Sequence, residues 1–310
     1  MARPMVDGIL PLNKPRGVTS MDMVRLAKRV SRVRRVGHAG TLDPIATGVL
    51  PICFGQATRL MEHLVGGAKI YRGEVTIGFS TDTYDALGTV TEKGDPAEIT
   101  AAEIERALTG MTGRVKQQPP MYSAIKHEGE RLYNLARAGV EVDRPAREVT
   151  VHRVQLLAWD SPRAFLEVEC GRGFYMRSLA HDLGIALDCP AHLSGLSRIS
   201  AGGFSIDQTV LPEVLEDAGE DWQSLLVPPD AALLGLEPVM VPEAAERHLR
   251  NGQPVSLSGG SSYVEHLDTR RAYGADGRFL GILRFNRPAG QWQPEKVFSV
   301  SDPSPYAPAA

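Results

Sequence analysis

Cysteine is scarce. The chain of 310 residues carries three, Cys53, Cys170 and Cys189, too few for a disulfide framework, and no C-x-x-C occurs to found a zinc ribbon. Cys189 and His192 stand three apart, but no second pair joins them, so no metal is expected. This usage fits a reducing cytoplasm. No G-x-x-x-x-G-K-[ST] is present, which excludes a P-loop, and no G-x-S-x-G marks a nucleophile elbow. Gly171-x-Gly173 precedes a helical pattern, yet Met176 stands where a dinucleotide fingerprint needs its third glycine, so the pair reads as a tight turn. Long apolar runs are missing as well. The uncharged stretch Pro44–Thr58 contains Gly48, Pro51 and Gly55 and is too short to span a bilayer. Pro11 and Pro15 interrupt the apolar Gly8–Leu12, so neither a signal peptide nor a membrane anchor is expected.

What is present is an ordinary globular composition, 43% hydrophobic and 23% charged. It excludes a disordered chain, and glycines without a G-X-Y period exclude collagen. A chain near 300 residues leaves room for two domains and buries roughly 75% of its unfolded surface.

Gly8–Leu12 reads as a short strand before a loop at Asn13–Thr19. Lys69–Phe79 reads as a strand with Tyr71, Gly73, Val75, Ile77 and Phe79 on one face. Thr100 and Glu103 form a capping box for a helix through Leu108, stopped by Gly110. Residues 117–147 form a long polar, basic excursion opened by Pro119-Pro120, with a short helix expected around Arg131–Arg137. Val149–Trp159 and Ala164–Cys170 read as strands, followed by a helix with Met176, Leu179, Ala180, Leu183 and Leu187 inward. Few contacts are expected to cross the Pro228-Pro229 region. A C-terminal unit is expected from about Leu236, with a helix at Glu243–Arg250 and strands within Arg271–Phe285. Strands and helices mix without a regular βαβ alternation, so the fold class is α+β.

Charge is distributed unevenly. Residues 1–72 hold 12 Lys and Arg against 4 Asp and Glu, net +8, while the remainder carries net −11. A basic front on an acidic body suits a polyanion-binding face; a solvated basic helix would have the same composition. Ser20 is expected to cap a helix running to about Arg35, with Asp22 in its first turn. On it Arg25, Lys28, Arg29 and Arg32 fall at i, i+3, i+4 and i+7 and form one stripe suited to tracking phosphates.

Directly after that helix comes Gly37-His38-Ala39-Gly40-Thr41-Leu42-Asp43-Pro44, continuing to Pro51. Three glycines and two prolines predict a defined loop over Gly37–Pro51, neither helix nor strand. Asp43 is its only acid. An Asp before Pro caps turns, and a carboxylate in a basic neighbourhood also serves as a nucleophile or general base.

The stretch resembles the catalytic motif of the tRNA pseudouridine synthase B (TruB) family, which includes archaeal and eukaryotic H/ACA relatives. The similarity extends through Asn13-Lys14-Pro15-x-Gly17-x-Thr19-Ser20, Lys69-x-Tyr71, Gln118-Pro119-Pro120-x-x-Ser123-Ala124-x-Lys126, Gly171-x-Gly173-x-Tyr175-x-Arg177-Ser178-Leu179 and Leu193-x-x-Leu196-x-Arg198, in family order over residues 8–200. The resemblance implies a mixed-sheet pseudouridine-synthase catalytic domain over residues 1–235, with 117–147 as an RNA-gripping insertion. It also implies a small C-terminal PUA-like RNA-binding β-barrel domain over 236–310.

The implied reaction is isomerisation of the T-loop uridine of tRNA, uridine-55, to pseudouridine, with no metal and no organic cofactor. Asp43 is then the nucleophile or base, Arg177 its ion-pair partner, and Tyr71 the platform for the flipped uracil. Tyr175 and Leu196 line the pocket, and His38 occupies the space the base vacates. Lys14, Arg25, Lys28, Arg29, Arg32 and Lys126 are expected to contact RNA. The expected partner is the T arm of tRNA, bound by a cytoplasmic monomer. A non-catalytic RNA-binding or tRNA-folding module on the same fold is the alternative, and Asp43 discriminates, since a pure binder gains nothing from an acid facing phosphates. A guide-RNA-dependent relative would carry a larger C-terminal extension and a basic tail.

Overall fold

The computed structural model describes residues 6–308 except 124, 125, 128, 138, 141 and 258–263, and except the side chains of residues 126, 127, 131, 134 and 137. Its main body is a nine-stranded mixed sheet of β1 (Gly8–Lys14), β2 (Val36–His38), β3 (Ala46–Phe54), β4 (Lys69–Ile77), β5 (Gly113–Gln117), β6 (Arg147–Asp160), β7 (Arg163–Cys170), β8 (Ala191–Ala201) and β9 (Phe204–Ser205). The order is β1-β3-β8-β4-β7-β6-β5, with β2 beside β3 and β9 beside β8. Only the β3–β8 pairing is parallel; the other pairs of this sheet are antiparallel, a mixed α+β arrangement.

The alternation in β4 is as its sequence predicts. Lys69, Tyr71, Gly73, Val75 and Ile77 are buried and the residues between them are not. That strand ends at Ile77, and Phe79 opens a separate short strand, Phe79–Thr81. The expected loop over Gly37–Pro51 is largely strand instead, with only residues 39–45 between β2 and β3. Two features explain this. Pro51 lies opposite Pro11 in the β1–β3 register, and the carbonyls of both still accept bonds, from Ala39 N–H at 2.9 Å and Val210 N–H at 2.8 Å, so the missing N–H groups break nothing. Gly48 has φ 103°, and a Cβ there would stand 2.3 Å from the Arg198 carbonyl oxygen. It lets two strands approach where any side chain would part them.

The first helix, α1 (Ser20–Ser31), differs from expectation at both ends. Thr19, not Ser20, is the cap, forming a capping box with Asp22, and Arg32 leaves the helix in the left-handed region. The helix therefore stops four residues short of Arg35, and Arg32 does not belong to its basic stripe. Val24 and Ala27 pack inward with Met23 and Leu26, over Leu10, Leu12, Leu50 and Phe54. A later helix, α2 (Ala101–Thr109), has the expected box, with Thr100 and Glu103 bonded reciprocally. Helix α3 (Met176–Ala186) buries Met176, Leu179, Ala180 and Leu183 in the same core.

A second, four-stranded sheet follows, made of Pro238–Val241, Thr269–Gly274, Phe279–Asn286 and Gln291–Val297 in that order. Its helix α4 is Glu243–Arg250, and its own core includes Val241, Leu249, Leu283 and Trp292. The expectation that few contacts cross before it is overturned. Leu60 and Leu233 from the first body share a buried cluster with Tyr273, Phe279, Ile282 and Phe298. Asp230, fully buried, accepts hydrogen bonds from the Tyr273 phenol at 2.7 Å and the Ser304 hydroxyl at 2.5 Å. Lys296 pairs with Glu62, and the Arg59 guanidinium donates to the Val297 carbonyl and lies over the Phe298 ring. Among the described residues no helix is long and apolar enough to cross a membrane.

Candidate active site

Asp43 sits in the short connection between β2 and β3, and three local devices hold it. The Ser20 hydroxyl, freed from capping, accepts from Leu42 N–H at 2.8 Å and donates to Leu42 O at 3.1 Å. Ala46 N–H bonds back to Asp43 O at 3.0 Å, and Gly17 N–H reaches Pro44 O at 2.8 Å. The Thr19-Ser20 pair thus has two jobs. Thr19 starts the helix, and Ser20 ties the helix to the residue preceding the acid.

Arg177, in the first turn of α3, delivers a fork to this carboxylate. Its Nη2 donates to Asp43 Oδ1 at 3.1 Å. Its Nε stands 2.9 Å from Oδ2 as a charge contact without hydrogen-bond alignment. The Arg177 side chain is 4% exposed while that of Asp43 is 35% exposed, so the cation is sealed in and the acid looks out. The remaining donors of Arg177 meet the Tyr122 carbonyl at 2.8 Å and the Thr83 carbonyl at 3.4 Å. A second acid, Asp85, lies 3.8 Å from Nε and is nearly buried. Burial pushes the Asp43 carboxyl above the ordinary carboxylate range and Asp85 adds to this, while Arg177 and, more weakly, Lys14 oppose it.

Tyr71 lies on the buried face of β4, directly opposite Arg198 of β8. Burial raises its phenol pKa and the charge of Asp43 contributes, so it is a protonated ring at neutral pH. Arg198, 1% exposed, donates to Val49 O at 2.8 Å and Gly40 O at 3.0 Å, binding the β3 strand and the loop before Asp43 together. Tyr175 immediately precedes α3. Gln117 clasps its backbone from both sides, Oε1 accepting from Tyr175 N–H at 2.8 Å and Nε2 donating to Tyr175 O at 3.0 Å. The Ser178 hydroxyl donates to Gln118 O at 2.7 Å. The start of the 117–147 excursion is thereby anchored on the helix that carries Arg177.

The other expected residues divide. His38 ends β2, with its Nδ1 buried and, among the described residues, without a hydrogen-bond partner; burial and then the Arg198 charge hold its pKa below the usual value. Leu196 is partly buried and lines a cavity of about 350 Å³ together with Ile45, Thr47, Arg72 and Phe165. Lys14 is not on a surface that RNA could touch. It is fully buried, donates to the carbonyls of Pro15 and Val18 at 2.8 Å each, and burial lowers its pKa to about 8. It is an internal cation near Asp43 and Arg198, which corrects the expected RNA contact.

Arg25, Lys28 and Arg29 are exposed along α1, Arg25 paired with Asp22 and Arg29 with Glu216. Arg32 is exposed beyond the helix end. Lys126 falls on a two-residue strand, Lys126–His127, and its side chain lies outside the described residues. Sequence reasoning missed Asp85, whose setting Asp82-Thr83-Tyr84-Asp85 has no spacing that links it to Arg177. It also missed Gln117 and the clamping role of Arg198, which emerge only from chain crossings.

Residues 28–176 match the family described as TruB family pseudouridylate synthase (N terminal domain). The chain is 40% identical over 304 residues to the tRNA pseudouridine synthase B of Dehalococcoides mccartyi, covering 97% of this chain and 100% of that one. It is 46% identical over 250 residues to the tRNA pseudouridine synthase B of Symbiobacterium thermophilum, covering 80% and 82%. Among solved structures, a chain of a Cbf5-Nop10-Gar1 complex shares the fold with TM-score 0.73 at 23% identity, over 98% of this chain and 87% of that one. With such identity along nearly the whole length of its relatives, and with the Asp43 and Arg177 of its motifs paired in the fold, the chain belongs to the tRNA pseudouridine synthase B family.

Proposed function

We infer that this protein is an isomerase that converts the T-loop uridine of tRNA, uridine-55, to pseudouridine. The observation that carries this is the half-open Asp43 carboxylate forked by the sealed Arg177 guanidinium. The reaction breaks the N1–C1′ bond, turns the base, forms C5–C1′, and exchanges the C5 proton for one on N1. The target lies inside a folded loop and must be extruded into the pocket. Asp43, kept ionised by Arg177, starts the sequence at C1′ as a nucleophile or at the 2′ position as a base. The charge on Arg177 is fixed in place before substrate arrives, so no reorganisation is needed when charge develops.

Tyr71 supplies the flat, protonated ring for the extruded uracil. Tyr175 and Leu196 line the opposite side, and His38 takes the vacated space in the RNA. Residues 117–147 grip the RNA from above Arg177, which their anchoring through Gln117 and Gln118 supports. Arg25, Lys28 and Arg29 track phosphates. Residues 236–310 are read as a PUA-like second contact, with residues 1–235 as the catalytic domain, and the protein as a cytoplasmic monomer acting without cofactor on the T arm. The test is tritium release from tRNA transcripts labelled at C5 of uridine. Release of one equivalent per tRNA, abolished when position 55 is changed, is expected; no release overturns the reading.

A further inference from the structure

Tyr84 is an aromatic residue in the left-handed region, φ 62°, a conformation that persists only where the surroundings over-determine it. Its ring stacks on the imidazole of His181, centroids 4.0 Å apart and planes 7° from parallel. His181 lies four residues after Arg177 on α3, so the two share one helix face. The residues flanking Tyr84 meet Arg177 itself. The Thr83 carbonyl accepts from Nη1 at 3.4 Å, and Asp85 stands 3.8 Å from Nε. Two successive turns of one helix face are therefore gripped by three successive loop residues.

We propose that Tyr84 and His181 are positioning residues, whose stack clamps the Thr83–Asp85 loop onto α3 and so fixes the guanidinium that holds Asp43. This rests on the reaction proposed above. The loop backbone is already tied on its other side to β8, through Leu193 N–H to Tyr84 O and Ala86 N–H to Leu193 O, both 3.0 Å. Those bonds fix the loop to the sheet, not to the helix. Between the loop and α3, the ring stack adds an apolar contact to the polar contacts of Arg177. Without the stack, Arg177 would have to hold its own scaffold while orienting Asp43. Strain at Tyr84 is retained because only that backbone directs the ring to His181 while Thr83 and Asp85 point to Arg177.

The test uses the full chain and C5-tritiated tRNA under single turnover, with tRNA affinity measured separately. Tyr84→Gly adopts the left-handed backbone freely and removes the ring; His181→Ala removes the other half of the stack. Each is expected to lower the rate at saturating protein by about 10- to 100-fold, the penalty of a small misplacement, with tRNA affinity unchanged. Tyr84→Phe and His181→Phe, which keep two stacked rings, are expected to restore the rate.

A wild-type rate in Tyr84→Gly, a loss confined to affinity, or a loss that the Phe variants do not restore would overturn the clamp. Should Tyr84→Gly not fold, the pair of variants at the partly buried His181 decides alone. Absence of tritium release from the unaltered protein would refute the functional reading instead, so the two failures are distinct.

Discussion

Arg177→Met isolates the charge that keeps Asp43 ionised. Arg177 acts on Asp43 through one aligned hydrogen bond at 3.1 Å and one charge contact at 2.9 Å. A hydrogen bond to a charged group is worth about 1.5–3 kcal/mol net. About a third of the Asp43 side chain is open to water, and solvent screening reduces such values, so the aligned bond lies at the lower end, about 1.5 kcal/mol. Its loss therefore raises the Asp43 pKa. The sign is fixed by the site. Burial and Asp85 already push the carboxyl up and Arg177 opposes them, so its removal leaves only the weaker pull of Lys14 against the groups that favour the protonated acid. The protonated acid is inactive, so activity is present above the pKa and lost as pH falls through it.

The acid limb of kcat/KM, followed by tritium release, should therefore move to higher pH. Part of the activity lost at neutral pH should return in alkaline buffer. Arg177→Lys, which keeps a charge and loses the fork, should fall between. An acid limb that stays in place while the rate falls evenly at every pH would refute the electrostatic role and leave Arg177 a purely steric support.

Asp43→Asn should abolish turnover while tRNA binding, measured by filter retention, survives, because phosphate contacts dominate affinity. Asp85→Asn keeps the Oδ1 that accepts from Thr83 and Leu87 but removes a charge that raises the Asp43 pKa, so its acid limb should move to lower pH, opposite to Arg177→Met. Changing Arg25, Lys28 and Arg29 together to Gln should flatten the salt dependence of tRNA binding by up to roughly 2 units of slope; an unchanged slope would mean that α1 faces solvent in the complex. Gly48→Ala drives a Cβ to 2.3 Å from the Arg198 carbonyl at a strained φ, and should lower Tm by about 4 °C or more. Ending the chain at residue 235 uncovers Leu60 and Leu233 and strips Asp230 of Tyr273 and Ser304. Loss of soluble, cooperatively folding protein is expected, and a stable truncation would refute the shared core.

The elements legible in the sequence are those set by local chemistry. The Thr100/Glu103 box, the period-two burial of β4 and the apolar face of α3 depend on a residue and its near neighbours. They form as the sequence predicts, except that Phe79 and Leu187 fall just beyond the ends of their elements. Motif resemblance points to Asp43, Tyr71 and Arg177, and the pairing of Asp43 with Arg177 requires the fold. Residues 43 and 177 meet only because α3 begins beside the β2–β3 connection. Where sequence reading failed, a distant partner had changed the local preference. Two facing prolines with bonded carbonyls and a glycine pressed on Arg198 turned an expected loop into strand. Lys14 reads as a surface cation but sits beneath the site, since β1 is buried at its end. Asp85 and the Tyr84–His181 stack had no signal at all, because their spacing along the chain carries no period and their contact exists only across the fold. Local pattern, then, determined the elements and named the acid. Tertiary packing decided which charges are sealed in, which face solvent, and what holds the arginine that the acid needs.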